Sequence, residues 1–363
     1  MRIKASKETL SNGIQTVQGV ITAKTTLPIL SNILIETQSG QLRLTATDLD
    51  IGISCVMSVD TQEPGAITIP AKRFGDIIKE LNSSEVNIST KKNNQIIIDA
   101  QTCQFKIMGL APEEFPKLPE FKDLGVIRLE QAELKNMLGL TSFAVSQDET
   151  RYILNGILFK IEGDKLILVA TDGKRLAIFE TKLKQRVEKD VYIIVPVKTI
   201  HELNRNLKDE GELSLILGSN QALFDLGDVM IISRLLEGEF PDYKTVIPAA
   251  TENKMRVSRE QFLLAVKRAA LLSTPDYQAL KLEVFKNKLV VSKSTPDVGE
   301  SREEMPVEYQ GRDMTIGFNP NYLIDVLKNL REESIILELI DSEKPGIIRA
   351  AGYTYIVLPM RLG

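Results

Sequence analysis

Apolar and polar residues alternate in paired runs along much of the chain. Residues 30–48, LSNILIETQSGQLRLTATD, hold two such runs around a polar turn, and residues 154–172, LNGILFKIEGDKLILVATD, do the same. A period of two on both sides of a turn predicts a β-hairpin in each. The two segments share an initial Leu, an Ile-Leu pair, a turn Gly and a closing Ala-Thr-Asp, and a weaker third copy, LKLEVFKNKLVVSKS, covers residues 280–294. After each hairpin comes a short strand and an amphipathic helical pattern: ITIPAKRFGDIIKEL, YIIVPVKTIHELNRNL and IGFNPNYLIDVLKNL, ending at Leu81, Leu207 and Leu330. Before each hairpin lies another helical pattern, aligned on Leu10, Leu134 and Phe262. Both sets of landmarks recur at roughly 125 residues, the length of a domain and far beyond any solenoid repeat.

Further strand patterns close the copies, at 95–108, at 212–217 with 222–236, and at 334–339 with 347–358. Strands outnumber helices, which predicts an α+β unit with few helices on one side of antiparallel sheet. The chain is therefore expected to hold three similar domains, 1–122, 123–250 and 251–363. The linkers are placed near 122 and 250, in the Pro-rich stretches APEEFPKLPEFKDLG and EGEFPDYKTVIPAATEN, both of which carry Glu-Phe-Pro.

Composition narrows the function classes. The 363 residues are 43% hydrophobic and 26% charged, which excludes a disordered or fibrous chain. Cys55 and Cys103 lie far apart and His201 is the one histidine, so a disulfide framework and a multi-histidine metal site are excluded. The opening MRIKASKETLSNG has no apolar core of a signal peptide, and no apolar run approaches the ~18 residues of a membrane span, so a cytoplasmic protein with no membrane partner is expected. Net charge is -4, yet cations recur on one face of the second helices: Lys72 and Lys79, then Lys198, Arg205 and Lys208, then Lys328 and Arg331. Lys135, Lys267 and Arg268 on the first helices and Lys24, Arg73 and Arg151 in loops add to them. Two readings stay open: solvated faces of amphipathic helices, or a basic layer that meets phosphates without reading sequence.

Candidate catalytic groups are sparse. Thr171-Asp-Gly-Lys-Arg175 offers Asp172 for a metal and Lys174 or Arg175 for phosphate, but lacks the spacing of a phosphate loop, and Asp-Gly after an apolar strand is first of all a turn. His201-Glu202 has no second histidine at the spacing of a zinc protease helix. Asp48 and Asp172 are repeat-equivalent, which favours a shared structural role. No catalytic residue, metal or cofactor is expected.

A set of motifs carries a family likeness: Thr26-Leu-Pro-Ile-Leu-Ser-Asn32, Leu44-Thr-Ala-Thr-Asp48, Arg151-Tyr-Ile-Leu-Asn-Gly156, Ala170-Thr-Asp-Gly-Lys-Arg-Leu176, Glu239-Phe-Pro-Asp-Tyr243, Gly317-Phe-Asn319 and Leu358-Pro-Met-Arg-Leu362. In this order they resemble the bacterial DNA polymerase III beta subunit, nearly end to end. The resemblance implies a non-catalytic sliding clamp and processivity factor: three domains per chain with sheet outside and helices inside, and a head-to-tail homodimer closing a ring around duplex DNA. It places the cations of the second helices, together with Lys24, Arg73, Gln147, Arg151 and Tyr152, near DNA. It sets Leu271 and Leu272 against Phe105 and Ile107 across the dimer contact; where the family often has arginines beside the aromatic this chain has Cys103 and Gln104, so weaker ion pairing with Glu300, Glu303 or Glu304 is expected. For the two leucines an ordinary core role stays open. It also implies a groove for short peptides of the replicative polymerase, the clamp loader and other repair and replication proteins. The groove residues are Leu154, Thr171, Gly173, Lys174, Arg175, Leu176, Pro241, Val246, Asn319, Tyr322, Val357, Leu358, Pro359, Met360, Arg361 and Leu362, with Arg175 and Asn319 bonding the peptide's polar groups. For Val357 and Leu358 inward packing of a final strand stays open. Two further readings are an enzyme working on nucleic acid through Asp172, Lys174 and Arg175, and an interaction protein with no DNA role.

Overall fold

The computed structural model describes residues 1–21, 27–121, 125–249 and 251–362. Lys24, the expected linker positions 122 and 250, and Gly363 lie outside the described residues. Six α-helices occur among the described residues: α1 (Lys7–Gln18), α2 (Ala71–Glu80), α3 (Gln131–Thr141), α4 (Val197–Asn206), α5 (Arg259–Ala270) and α6 (Pro320–Asn329). They fall where the two sets of periodic patterns predict them. Polar caps start several: Ser6 accepts from the Thr9 amide, Ser258 from Gln261 and Asn319 from Asn321. The amphipathic reading of the second helices holds. Phe74 and Ile78, Ile200 and Leu203, and Leu323 and Leu327 are buried, while Lys72, Lys79, Arg205 and Lys328 stay exposed.

All three expected hairpins form, as Asn32–Gln38 with Gln41–Thr47, Gly156–Glu162 with Lys165–Thr171, and Leu280–Phe285 with Lys288–Thr295. A third antiparallel strand follows each one: Ile51–Ser58, Arg175–Lys182 and Gly299–Pro306. These third strands decide how the repeats join. Ile51–Ser58 pairs with Val229–Arg234, setting Cys55 opposite Val229 and Ile51 opposite Ser233. Likewise Arg175–Lys182 pairs with Tyr353–Val357, setting Arg175 opposite Val357 and Phe179 opposite Tyr353. The third strand of one repeat thus completes a sheet with the last strand of the next repeat.

The chain accordingly forms two compact units, Met1–Lys135 with Lys198–Leu235, and Asn136–Val197 with Leu236–Gly363. Each contains one continuous eight-stranded sheet. The first unit also holds a five-stranded sheet with Cys103–Met108 at one edge, and the second a four-stranded sheet with Gly299–Pro306 at one edge. These edge strands are mostly exposed. An open edge presents unpaired backbone donors and acceptors to any strand that can complement it.

In the second unit a core of Leu154, Leu158, Ile167, Val169, Leu176, Ile194, Phe240, Ile347 and Ile356 binds the sheet to the segment that carries the second Glu-Phe-Pro. Phe115, from the first Glu-Phe-Pro, is buried in the first unit. The shared tripeptide therefore buries its aromatic ring in each unit.

Candidate functional site

The Thr-Asp-Gly-Lys-Arg segment folds as a turn stapled by its own side chains. Asp172 Oδ1 accepts from the Lys174 and Arg175 amides at 2.9 and 3.0 Å, and Thr171 Oγ1 donates to the Arg175 carbonyl at 2.6 Å. Gly173 sits between them at φ +83, in the left-handed region that favours glycine. The first repeat builds the same turn. Asp48 Oδ1 accepts from the Asp50 and Ile51 amides, Thr47 Oγ1 donates to the Ile51 carbonyl, and Leu49 holds φ +82. A leucine there bears backbone strain of about 1 kcal/mol that glycine avoids. The role common to both aspartates is this turn.

Arg175 leaves the turn into a crowded pocket of the second unit, its side chain 10% exposed. Its Nε donates to Asp172 Oδ2 at 3.0 Å, Nη1 to Asp325 Oδ2 on α6 at 2.7 Å, and Nη2 to the Phe143 carbonyl at 2.5 Å. The guanidinium lies 4.4 Å from the Tyr322 ring centroid and 5.7 Å from that of Phe143. Burial works against its charge, but the hydrogen bond to Asp325 and the surrounding negative groups outweigh it and raise its pKa. Arg175 is thus a strut linking the turn, the segment after α3 and helix α6. Asp172 is committed to two amides and to Arg175, as a turn residue should be.

Around this strut the second unit gathers the other residues expected in the groove. Leu154 and Leu176 are buried in the core beneath it, and Thr171 is half-buried. Asn319 caps α6, and Tyr322, half-buried, accepts from the Tyr355 hydroxyl through its carbonyl at 2.9 Å. The final segment is tied down on both sides, because the Leu358 amide donates to the Lys174 carbonyl and the Met360 amide to the Gly317 carbonyl. Val357 is fully buried, so the inward-packing reading applies to it, while Leu358 is 43% exposed. Lys174, Pro241, Val246, Arg361 and Leu362 are exposed, and Pro359 and Met360 half-buried. Leu358, Leu362 and Val246 are large apolar groups left in water beside a rigid frame, as a docking surface needs.

The expected DNA-contacting residues divide by how they are engaged. In the first unit Lys198 pairs with Asp48, Arg205 donates to the Gln15 and Thr16 carbonyls at the end of α1, and Lys208 pairs with Asp228 at 3.0 Å. Lys72, Arg73, Lys79, Lys328 and Arg331 are exposed and make no ion pair among the described residues. In the second unit Gln147 is exposed, Arg151 leans on Asp148 at 3.8 Å, and the Tyr152 hydroxyl donates to the Glu237 carbonyl at 2.5 Å. His201 is exposed.

At the expected dimer contact, Phe105 lies exposed and Ile107 half-buried on the open edge strand of the first unit. Leu271, at the C-terminal cap of α5, is 81% exposed, which excludes the core reading for it, and Leu272 is half-buried. The candidate acidic partners are engaged within the chain: Glu303 with Arg268, Glu304 with Lys288 and Arg302, and Glu300 with the Ser294 hydroxyl. Sequence reasoning missed Asp325 and Phe143, the two groups that hold Arg175, because a helix carboxylate and a backbone carbonyl leave no motif.

Family models for the DNA polymerase III beta subunit match the chain three times, the N-terminal domain at residues 1–119, the central domain at 128–242 and the C-terminal domain at 244–361. The beta sliding clamp of Chlamydia pneumoniae is 34% identical over 363 residues, covering all of this chain and 99% of its own. That of Escherichia coli K12 is 34% identical over 368 residues, with both chains fully covered. Among solved structures, a Pseudomonas aeruginosa sliding clamp bound to griselimycin superposes with a TM-score of 0.95 at 33% identity, and a Bacillus subtilis DNA polymerase sliding clamp with 0.95 at 30%, both over the whole of each chain. With the three domain models in order and relatives matched from end to end, the chain belongs to the DNA polymerase III beta subunit family, the sliding clamps.

Proposed function

We propose that two copies of this chain join head to tail through their open sheet edges and so encircle duplex DNA. As a clamp the chain is a processivity factor and performs no chemistry of its own. The observation that carries the reading is the pairing rule of the repeats. Twice within the chain, the third strand of one repeat completes a sheet with the last strand of the next. Applied once more, the rule leaves Gly299–Pro306 of the last repeat and Cys103–Met108 of the first paired on one side only, without an outer partner among the described residues. Each can supply what the other lacks, and in a head-to-tail pair the edge strand of one copy meets that of the other. Such a contact is heterologous, and a two-fold rotation closes it. Phe105 and Ile107 on one edge, and Leu271 and Leu272 beside the other, would then bury apolar surface now in water.

Domains bounded at 122 and 250 would give six modules per ring. A duplex held by closure needs no base contacts, only cations that meet phosphates loosely. The exposed, unpaired Lys72, Arg73, Lys79, Lys328 and Arg331 fit that task directly, whereas Lys198, Arg205 and Lys208 must release internal partners first. Each true phosphate contact contributes about 0.9 to the salt slope of binding. The pocket framed by Arg175 is the proposed groove for hydrophobic anchors of the polymerase, the clamp loader and other replication and repair proteins. The described residues contain no helix long and apolar enough to cross a membrane.

The test is retention on DNA. The dimer, once loaded, should stay on closed circular DNA and leave when that DNA is linearised. Equal loss from both forms would refute encirclement.

A further inference from the structure

Along strand Lys288–Thr295, Leu289, Val291, Lys293 and Thr295 share one buried face, while Val290 is buried on the other. A lysine in that series is anomalous. Lys293 is 4% exposed, and among the described residues no carboxylate pairs with it. Burial drives its pKa below the ordinary lysine value, as expected of a cation held in a dry site. A buried charge without a counter-ion is retained only where other groups solvate it.

The groups that do so all belong to one loop. Lys293 Nζ donates to the Tyr277 carbonyl at 2.7 Å and to the Ala279 carbonyl at 2.8 Å. Two residues on, buried Thr295 donates its hydroxyl to the Leu272 carbonyl at 2.6 Å. The loop between α5 and the hairpin is thus gripped at its beginning and its end by one face of one strand. Between those points its own bonds are few, chiefly the reciprocal Thr274 and Tyr277 amide bonds, with Gln278 Oε1 also accepting from Asn319 Nδ2 at 3.5 Å. Leu271, the most exposed of the large apolar side chains among the described residues, stands at the mouth of this loop, next to Leu272.

We propose that Lys293 is a positioning residue for ring closure: by gathering the Tyr277 and Ala279 carbonyls it holds the 272–279 loop, and with it the Leu271 and Leu272 face, in the shape that a second copy of this chain meets. The inference rests on the dimer contact proposed above. An ammonium suits the task because one atom serves two carbonyls that converge on the core side of the strand, where an apolar residue would take that donor from both and leave the Tyr277 carbonyl only the Thr274 amide. A loop already ordered in the free chain loses no freedom on association, and the gain appears as tighter binding.

The experiment compares wild type, Lys293→Met, Thr295→Val and the double variant Leu271→Ala with Leu272→Ala, using full-length chain throughout. Sedimentation equilibrium gives the dimer dissociation constant, and amide hydrogen exchange reports each segment. Lys293→Met is expected to raise the dissociation constant by on the order of tenfold and to speed exchange within 271–279, with α5 and the four-stranded sheet unchanged. Thr295→Val, which cuts one of the three bonds, should shift both readouts in the same direction by less. An unchanged dissociation constant, or exchange accelerated across the whole sheet, would overturn the proposal by making Lys293 idle or merely part of the core. If the double leucine variant still dimerises like wild type, the dimer contact itself is wrongly assigned. In that event exchange in 271–279 decides alone whether Lys293 holds the loop.

Discussion

Replacing Arg175 separates two roles that an arginine at a docking site can have. If it is a strut, Arg175→Ala strands Asp172 and Asp325 and frees the Phe143 carbonyl, and the fold suffers before any ligand is added. Removing one partner of a buried ion pair costs about 3 to 5 kcal/mol. The cost here is smaller, because the Asp325 side chain is 35% exposed and Asp172 keeps two backbone amides as donors. With the stacking on Tyr322 also lost, we expect about 2 to 4 kcal/mol. For a unit of this size the urea dependence is about 2 to 3 kcal/mol per molar, so the midpoint should fall by about 1 M. The chain has no tryptophan, so far-UV circular dichroism follows unfolding and a dye-labelled clamp-binding peptide reports docking without interference. Arg175→Lys keeps the charge but not the fork, and should recover less than half of the loss. A double-mutant cycle with Asp325→Asn should give a coupling above about 1 kcal/mol. If Arg175→Ala instead unfolds like wild type while peptide binding disappears, the arginine is a ligand contact and the strut argument fails.

Three further outcomes follow from the geometry. Leu271→Ala with Leu272→Ala should yield folded monomer in the ultracentrifuge, since each leucine forfeits up to about 1.5 to 3 kcal/mol of burial on association; a persistent dimer would move the contact elsewhere. Burial pushes the Cys55 thiol up to about 12, so iodoacetamide at pH 8 should alkylate Cys103 alone, and more slowly in the dimer than in the leucine variant because Cys103 lies on the open edge strand. Modification of Cys55 in native protein would contradict its placement. Glu202 is buried with Oε2 unpartnered, and burial, against Arg205, Lys198 and His201, raises its pKa. A carboxyl whose folded pKa lies above its unfolded value favours folding below the unfolded value and loses that contribution as pH rises through the folded one. Glu202→Gln should therefore gain in melting temperature relative to wild type between pH 4 and pH 7, and a constant difference would refute the assignment.

Some of this molecule follows from local pattern alone. The hairpins at residues 32–47, 156–171 and 280–295 and the six helices were legible because each rests on a period of two or 3.6 that one segment carries by itself. Asp172 was legible as a turn residue for the same reason, and Asp48 as sharing its structural role through the repeat, since the bonds that define the turn run to amides two and three positions away. Pairings between distant segments were not legible. Nothing in Ile51–Ser58 names Val229–Arg234 as its neighbour, because backbone hydrogen bonds carry no sequence label and the choice among strands depends on packing summed over the whole unit. Nor could the sequence say that Val357 faces inward and Leu358 outward, as a shift of one residue exchanges the two faces of a strand. The commitment of Arg175 to Asp325, 150 positions away, and the bonds that buried Lys293 makes to the Tyr277 and Ala279 carbonyls and Thr295 to that of Leu272 belong to the same class. An arginine or a lysine looks alike in sequence whether it faces solvent, a ligand or the protein's own backbone, and only tertiary structure decides which of these desolvates it.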